Sequence, residues 1–226
     1  MMIDVCKDIN LLTKFNIFSK FPLDQLEHLL NCCGAYYKCY EKNEVIYFQG
    51  DEINFLCIII SGSVSIEKVD IFGNNTYMLD FYSGNFFGEQ MVLDTPSISP
   101  YTYKCSTKCK ILCLPFHKKY STNNCKNTCE CRVLFRENLL NQIAENNLLF
   151  INKLEVLSKK SIREKIMTFL INESEKCNSS KVQIPFSKSK FADYLGVNRS
   201  SLMRELSNMK IDGLIELNNK TFTILK

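Results

Sequence analysis

The feature that most constrains this chain is a change of rhythm near its middle. From about Gly34 to Pro115, short runs rich in Ile, Val, Phe and Tyr alternate with turn signals. These fall at Gly50-Asp51, Ser61-Gly62-Ser63, Gly73-Asn74-Asn75 and Ser83-Gly84-Asn85. Such regular spacing predicts an antiparallel barrel or sandwich. From roughly Thr128 to Leu157 glycine and proline are absent, and apolar residues recur at helical spacing. A strand-rich first half giving way to one long helix predicts an α+β chain. Ahead of the strands, Pro22 begins a short helix whose apolar stripe is Leu23, Leu26, Leu29 and Leu30.

The long helix carries a heptad reading. Leu140, Asn147 and Leu154 occupy one position, and Ile143, Phe150 and Leu157 the other. That pattern suits a dimer seam with a single buried Asn, which fixes register between paired helices. The same spacing also suits a helix packed on its own domain, with Asn147 merely solvated. Ser158 to Ser161 interrupts the helix. Ser161 and Glu164 then form an S-x-x-E capping box ahead of Ile166, Phe169, Leu170 and Ile171. The expected domains are a sensor at 1–127, a dimerisation helix at 128–157 and a DNA-binding domain at 158–226.

Phe186–Ile215 reads as a helix-turn-helix. Ser187 caps a helix over Lys188–Leu195, Gly196 makes the turn, and Asn198 caps a second helix running to about Lys210. Phe191, Ala192, Leu195, Val197, Leu202, Leu206 and Met209 fall where two crossed helices pack. Leu214–Leu217 and Thr221–Leu225 alternate as two strands around Asn218-Asn219-Lys220, a wing.

The polar positions suit DNA. Arg199, Ser200 and Arg204 are expected on one side of the second helix, toward its N-terminal half, where side chains reach the major groove. Ser187, Lys188 and Asn198 lie at helix N-termini, and Lys190, Lys210 and Lys220 add cations for phosphate. The competing reading is an ordinary helical hairpin with solvated charges. Charge favours the polyanion: thirteen Lys and Arg face seven Asp and Glu from Lys159 onward, a net +6, against −2 for the rest.

Several function classes are set aside. The 226 residues contain no run of eighteen apolar residues, and the start lacks a signal-peptide pattern, so a cytoplasmic protein that contacts no membrane is expected. In that compartment the twelve cysteines read as reduced, small core residues rather than a disulfide framework. No nucleophile–base pair, P-loop or metal-ligand spacing marks an enzyme.

The chain resembles the Crp/Fnr family of bacterial transcription regulators. In the first half, Gly50-Asp51, Ile58 to Val64 and Gly84-Asn85-Phe86-Phe87-Gly88-Glu89 resemble the β-roll, a jelly roll, of cyclic-nucleotide-binding domains. In the second, Phe191 to Arg199, Arg204 and Asp212-Gly213-Leu214-Ile215 resemble the family's winged helix-turn-helix. The resemblance implies a homodimer on a near-palindromic site in double-stranded DNA, an activator role and RNA polymerase as partner. It also implies control by a small molecule or redox event near the β-roll, at a pocket about Gly88, Glu89, Ser99 and Tyr101.

The departures matter as much. Cyclic-AMP-binding members place an Arg about ten residues after the Gly-Glu pair. Here no Arg or Lys lies between Glu89 and Lys104, and a buried phosphate without a cation is costly. This argues against cyclic AMP and leaves an unknown effector or constitutive activity. Glu89 reads as a turn residue or as a contact to another polar ligand.

Iron–sulfur members use clustered N-terminal cysteines. Here Cys6, Cys32-Cys33 and Cys39 do not match, and Cys125, Cys129 and Cys131 fit no standard metal motif. Cys105, Cys109 and Cys113 share strand parity and read as inward-facing. His28 and His117 lack a partner motif for haem or zinc. No cofactor is expected, with a thiol- or metal-based redox sensor and a sensor with vestigial DNA binding as the alternatives. Ser200 stands where several members carry Glu, so their half-site preference does not transfer.

Overall fold

The computed structural model describes residues 8–89, 98–115, 130–184 and 187–225. The chain divides into two compact units, Met1–Ala144 and Glu145–Lys226. The first opens with α1 (Ile9–Leu12), a 3-10 turn at Asn16–Phe18 and α2 (Leu23–Cys33). Pro22 is the N-cap of α2, and Gly34 ends it in the left-handed conformation.

Eight strands follow: β1 (Tyr36–Tyr40), β2 (Val45–Tyr47), β3 (Leu56–Ser61), β4 (Ser63–Val69), β5 (Asn75–Tyr82), β6 (Phe86–Phe87), β7 (Thr102–Cys105) and β8 (Cys109–Leu114). They form two antiparallel four-stranded sheets, ordered β1-β8-β3-β6 and β2-β7-β4-β5. The expected sandwich is present, and it is a roll of two packed sheets.

The central strands β3 and β8 of the first sheet are buried on both faces, which explains the unbroken apolar run of β3. Leu56, Ile58, Ile60, Leu112 and Leu114 pack on Leu12, Phe18, Leu26, Leu30, Phe135 and Leu139 of the helical layer. The alternate residues Cys57, Ile59, Cys109, Ile111 and Cys113 face the second sheet, meeting Tyr47, Val64, Ile66, Phe81 and Tyr103. Small cysteines on that inner face leave room for the aromatic residues opposite.

The helix α3 (Glu130–Ser158) runs through the division between the units. Its first half belongs to the roll, where buried Asn138 donates to the carbonyls of Ser19 at 2.7 Å and Ile17 at 3.2 Å. Its last turns belong to the second unit, where Val156 joins the core. The two units meet at Ala144 and Glu145, inside the expected dimerisation helix.

The second unit continues with α4 (Ile162–Cys177), β9 (Lys181–Gln183), α5 (Lys188–Leu195), α6 (Arg199–Ile211), β10 (Ile215–Asn218) and β11 (Thr221–Ile224). The capping box is complete: the Glu164 N–H donates to Ser161 Oγ at 3.1 Å, and the Ser161 N–H to Glu164 Oε2 at 2.9 Å. The sheet order is β10-β11-β9. Among the described residues no helix is long and apolar enough to cross a membrane.

Candidate nucleic-acid interface and effector site

The helix-turn-helix is built as its sequence dictates. Ser187 accepts from the Lys190 N–H at 3.3 Å and caps α5. Gly196, at φ +63°, closes α5 and turns the chain toward α6. Phe191, Ala192, Leu195, Leu202, Leu206 and Met209 are buried together. Asn198 holds the N-cap position of α6 with extended backbone, but its side chain makes no capping hydrogen bond. That corrects the expected cap. Asn198 is exposed.

Burial of Leu202, Leu206 and Met209 fixes which side of α6 faces outward. Ser200, Arg204 and Ser207 are spaced by four and three residues and all are exposed. Arg199 opens the helix and is exposed as well, but it corrects the expected single side: at about 100° per residue it projects from a different flank than Arg204. Lys188 and Lys190 are half-buried in the first turn of α5, Lys210 is exposed in the last turn of α6, and Lys220 is exposed in the β10–β11 turn beside Asn219 at φ +58°. The structure thus brings all nine residues onto one small unit.

Two features of this unit escaped the sequence reading. The strand β9 pairs with β11, Val182 opposite Phe222; its signal was the alternation of Val182 and Ile184 with polar neighbours. Arg163 of α4 reaches two carboxylates of the second helix and its end, at 2.6 Å from Glu205 and 2.8 Å from Asp212.

The second candidate site lies in the roll. Gly88 has φ +84°, and a Cβ there would sit 2.6 Å from the Phe55 carbonyl oxygen, so the turn into Glu89 requires glycine. Burial holds the Glu89 carboxyl above the usual carboxylate range, against opposing hydrogen bonds from backbone N–H groups. Ser99 is buried, and its hydroxyl donates to the Tyr101 carbonyl at 2.6 Å. Its backbone closes a pair with the Gly50 N–H at 2.9 Å and the Asp51 carbonyl at 2.8 Å. Ser99 is therefore committed to the fold. Tyr101 is half-buried, with the Lys68 ammonium 5.9 Å from its ring. The segment Gln90–Ser97 lies outside the described residues.

In the roll Cys57, Cys105, Cys109 and Cys113 are core residues, whereas Cys39 on β1 is exposed. Cys57 and Cys113 sit opposite each other across β3 and β8, and burial pushes the Cys57 thiol well above its ordinary range. Cys33 is pushed up to about 12, chiefly by burial. Among the described residues no group of three potential ligands could hold a metal ion. Cys6, Cys125, Cys129 and His117 lie outside the described residues.

The heptad line on α3 divides. Leu140 and Leu154 are each 66% exposed, and Asn147, Phe150 and Leu157 are exposed too. Ile143 is the exception: it packs against the core of the roll. The exposed line instead steps through Leu140, Ala144, Asn147, Ile151 and Leu154. Successive steps of four and three residues stay on one helix face, whereas Ile143 is rotated off it.

A double-sheet roll followed by a long helix and a winged helix-turn-helix defines a DNA-binding transcription regulator with a nucleotide-domain-like input half. Residues 37–123 match the cyclic nucleotide-binding domain, and residues 164–226 the Crp-like helix-turn-helix domain. The chain belongs to the Crp/Fnr family.

It is 21% identical over 199 residues to the transcriptional activator protein FnrL of Cereibacter sphaeroides, covering 84% of this chain and 76% of that protein. Its fold is similar to a CooA variant from Carboxydothermus hydrogenoformans, at a TM-score of 0.70, 14% identity and coverage of 100% and 94%. It is likewise similar to the c-di-GMP-responsive regulator CLP of Xanthomonas campestris, at a TM-score of 0.69, 19% identity and coverage of 91% and 100%.

Proposed function

We propose that this protein is a cytoplasmic homodimeric activator that reads a near-palindromic DNA site with α6 and contacts RNA polymerase. The observation that carries the reading is the outward face of α6, with Ser200 and Arg204 exposed over a core of Leu202, Leu206 and Met209. Arg204 and Arg199 read base edges, Ser200 adds a weaker contact, and Lys210 and Lys220 bind phosphates. The N-terminus of α6 at Asn198 and that of α5 at Ser187, Lys188 and Lys190 donate to phosphate oxygens. The exposed apolar line on α3, interrupted by Asn147, supports pairing with a second copy.

The effector is something other than cyclic AMP, or the protein is constitutively active. Two observations support this. No cation lies between Glu89 and Lys104 to meet a cyclic phosphate. The Ser99 hydroxyl is already bonded, and Phe87 and Tyr103 stack between the sheets.

The test is selection of bound DNA from a random pool, with and without reductant. Arg199→Ala and Arg204→Ala are each expected to weaken the selected site by about 1–3 kcal/mol, roughly 5- to 150-fold. Unchanged binding in both variants overturns the assignment of α6. A rise in Tm with micromolar cyclic AMP overturns the effector reading.

A further inference from the structure

Arg163 meets two carboxylates at once. It lies in the first turn of α4, which is fixed at its start by the Ser161–Glu164 box and along its length by Ile166, Phe169 and Leu170 in the core. Its neighbour Lys165 donates to the Leu195 carbonyl at 3.2 Å, tying α4 to the end of α5. The base of the Arg163 side chain is thus braced from two sides.

From that base the guanidinium forks. Nε donates to Glu205 Oε1 at 2.6 Å, and Nη1 meets Asp212 Oδ2 at 2.8 Å. Glu205 lies mid-way along α6, and Asp212 is its C-cap, where the chain turns at Gly213 toward β10. The two residues are seven apart, with α-carbons about 10 Å apart along the axis on nearly the same flank, and their carboxylates converge on the one guanidinium. A helix held at one point can still roll or tilt; a helix held at two points on one flank does neither freely. The core residues Leu202, Leu206 and Met209 set the depth of α6 but allow such adjustment, since apolar contacts are not directional.

We propose that Arg163 is a positioning residue for DNA recognition, clamping α6 at Glu205 and Asp212 so that Arg204 and Ser200 meet the groove at one fixed rotation. This rests on the reading of α6 as the recognition helix. Selective readout needs side chains held within a fraction of an ångström, whereas phosphate contacts tolerate slack. Loss of the clamp therefore lowers affinity for the chosen sequence more than for random DNA. The pairs are partly exposed, so the effect on folding is small.

A competing account is charge alone, in which Arg163 only masks two carboxylates from DNA. The two accounts differ for the variant Glu205→Gln/Asp212→Asn. With the carboxylates gone, masking predicts equal or tighter binding to every DNA. The clamp predicts a loss of selectivity in that variant as well as in Arg163→Gln.

The experiment uses the full-length protein and the sequence chosen by the wild type from a random pool. Affinities for that sequence and for a scrambled duplex are measured at several salt concentrations, below the Tm of every variant. The expected result is about a tenfold fall in the specific-to-scrambled ratio for both Arg163→Gln and Glu205→Gln/Asp212→Asn. Arg163→Lys, which keeps charge but not the fork, falls between them and the wild type. An unchanged ratio in either variant, or tighter binding by the carboxylate variant to both duplexes, overturns the clamp. Failure of the wild type to select any sequence overturns instead the reading of α6.

Discussion

Phe87 of β6 and Tyr103 of β7 stack between the two sheets of the roll, with ring centroids 4.3 Å apart and planes within 12°. Tyr47 meets the edge of Phe87 at 88°, with centroids 6.5 Å apart, and its hydroxyl accepts from the Asn54 and Phe55 N–H groups. Offset stacking and edge contacts of this kind add to area burial. The stack joins strands of different sheets and so fastens one sheet to the other. Phe87→Ala removes the shared ring and is expected to cost about 3–5 kcal/mol of stability, read by denaturant unfolding of the wild type and variant. A cost under about 1 kcal/mol would show that the two sheets are held elsewhere.

The Glu89 carboxyl, raised by burial, makes a pH prediction whose sign is fixed. The folded state holds the proton more tightly than the unfolded chain, whose value is near 4.5. The folded state is therefore favoured below that value, and this advantage is lost as pH rises through the folded pKa. Glu89→Gln removes the cost of ionising a buried carboxyl. Its Tm is expected above that of the wild type at pH 7, with the gap closing toward pH 4. A gap of the same size at both pH values counts against the burial argument.

Gly62 closes the turn between β3 and β4 at φ +92°. A Cβ there would lie 2.4 Å from the Lys108 carbonyl oxygen and 2.7 Å from Cys109 Sγ. The backbone oxygen cannot step aside without breaking the β7–β8 turn. Gly62→Ala is expected to cost at least about 1–3 kcal/mol from backbone strain alone, with the clash added. Gly73, at φ +82°, has open space around it, so Gly73→Ala carries the strain without the clash. The difference in Tm between the two variants measures the clash.

The two lines on α3 separate stability from assembly. Leu140→Glu and Ile151→Glu place charge on the exposed line and are expected to give a monomer by sedimentation, with the roll intact. Ile143→Ala acts on the core of the roll; it is expected to cost about 2 kcal/mol and leave the dimer in place. A monomer from Ile143→Ala, with a dimer from the other two, would restore the heptad line read from spacing.

Much of this was legible in the sequence. The capping box at Ser161 and Glu164, the cap at Ser187 and the turn at Gly196 are local devices, set by residues within one helical turn of each other. The inward facing of Cys105, Cys109 and Cys113 held because a strand alternates its faces whatever lies around it. The heptad line on α3 left one position open for the opposite reason. Three- and four-residue steps are equally helical, and only the packing of Ile143 on the roll tells which step leads outward. The cap at Asn198 failed similarly: residue type permits a side-chain hydrogen bond but does not compel one.

What the sequence determined by itself was the order of parts: strands, then one long helix, then a winged helix-turn-helix with Arg199, Ser200 and Arg204 on its second helix. Periodicity, turn residues and caps act over a few residues and survive any tertiary setting. Tertiary structure alone decided which apolar residues of α3 stay uncovered, that Ser99 is used up within the roll, and that Arg163 reaches Glu205 and Asp212. Each of these depends on residues from elements distant in the chain meeting at bonding distance, and no local pattern encodes such a meeting.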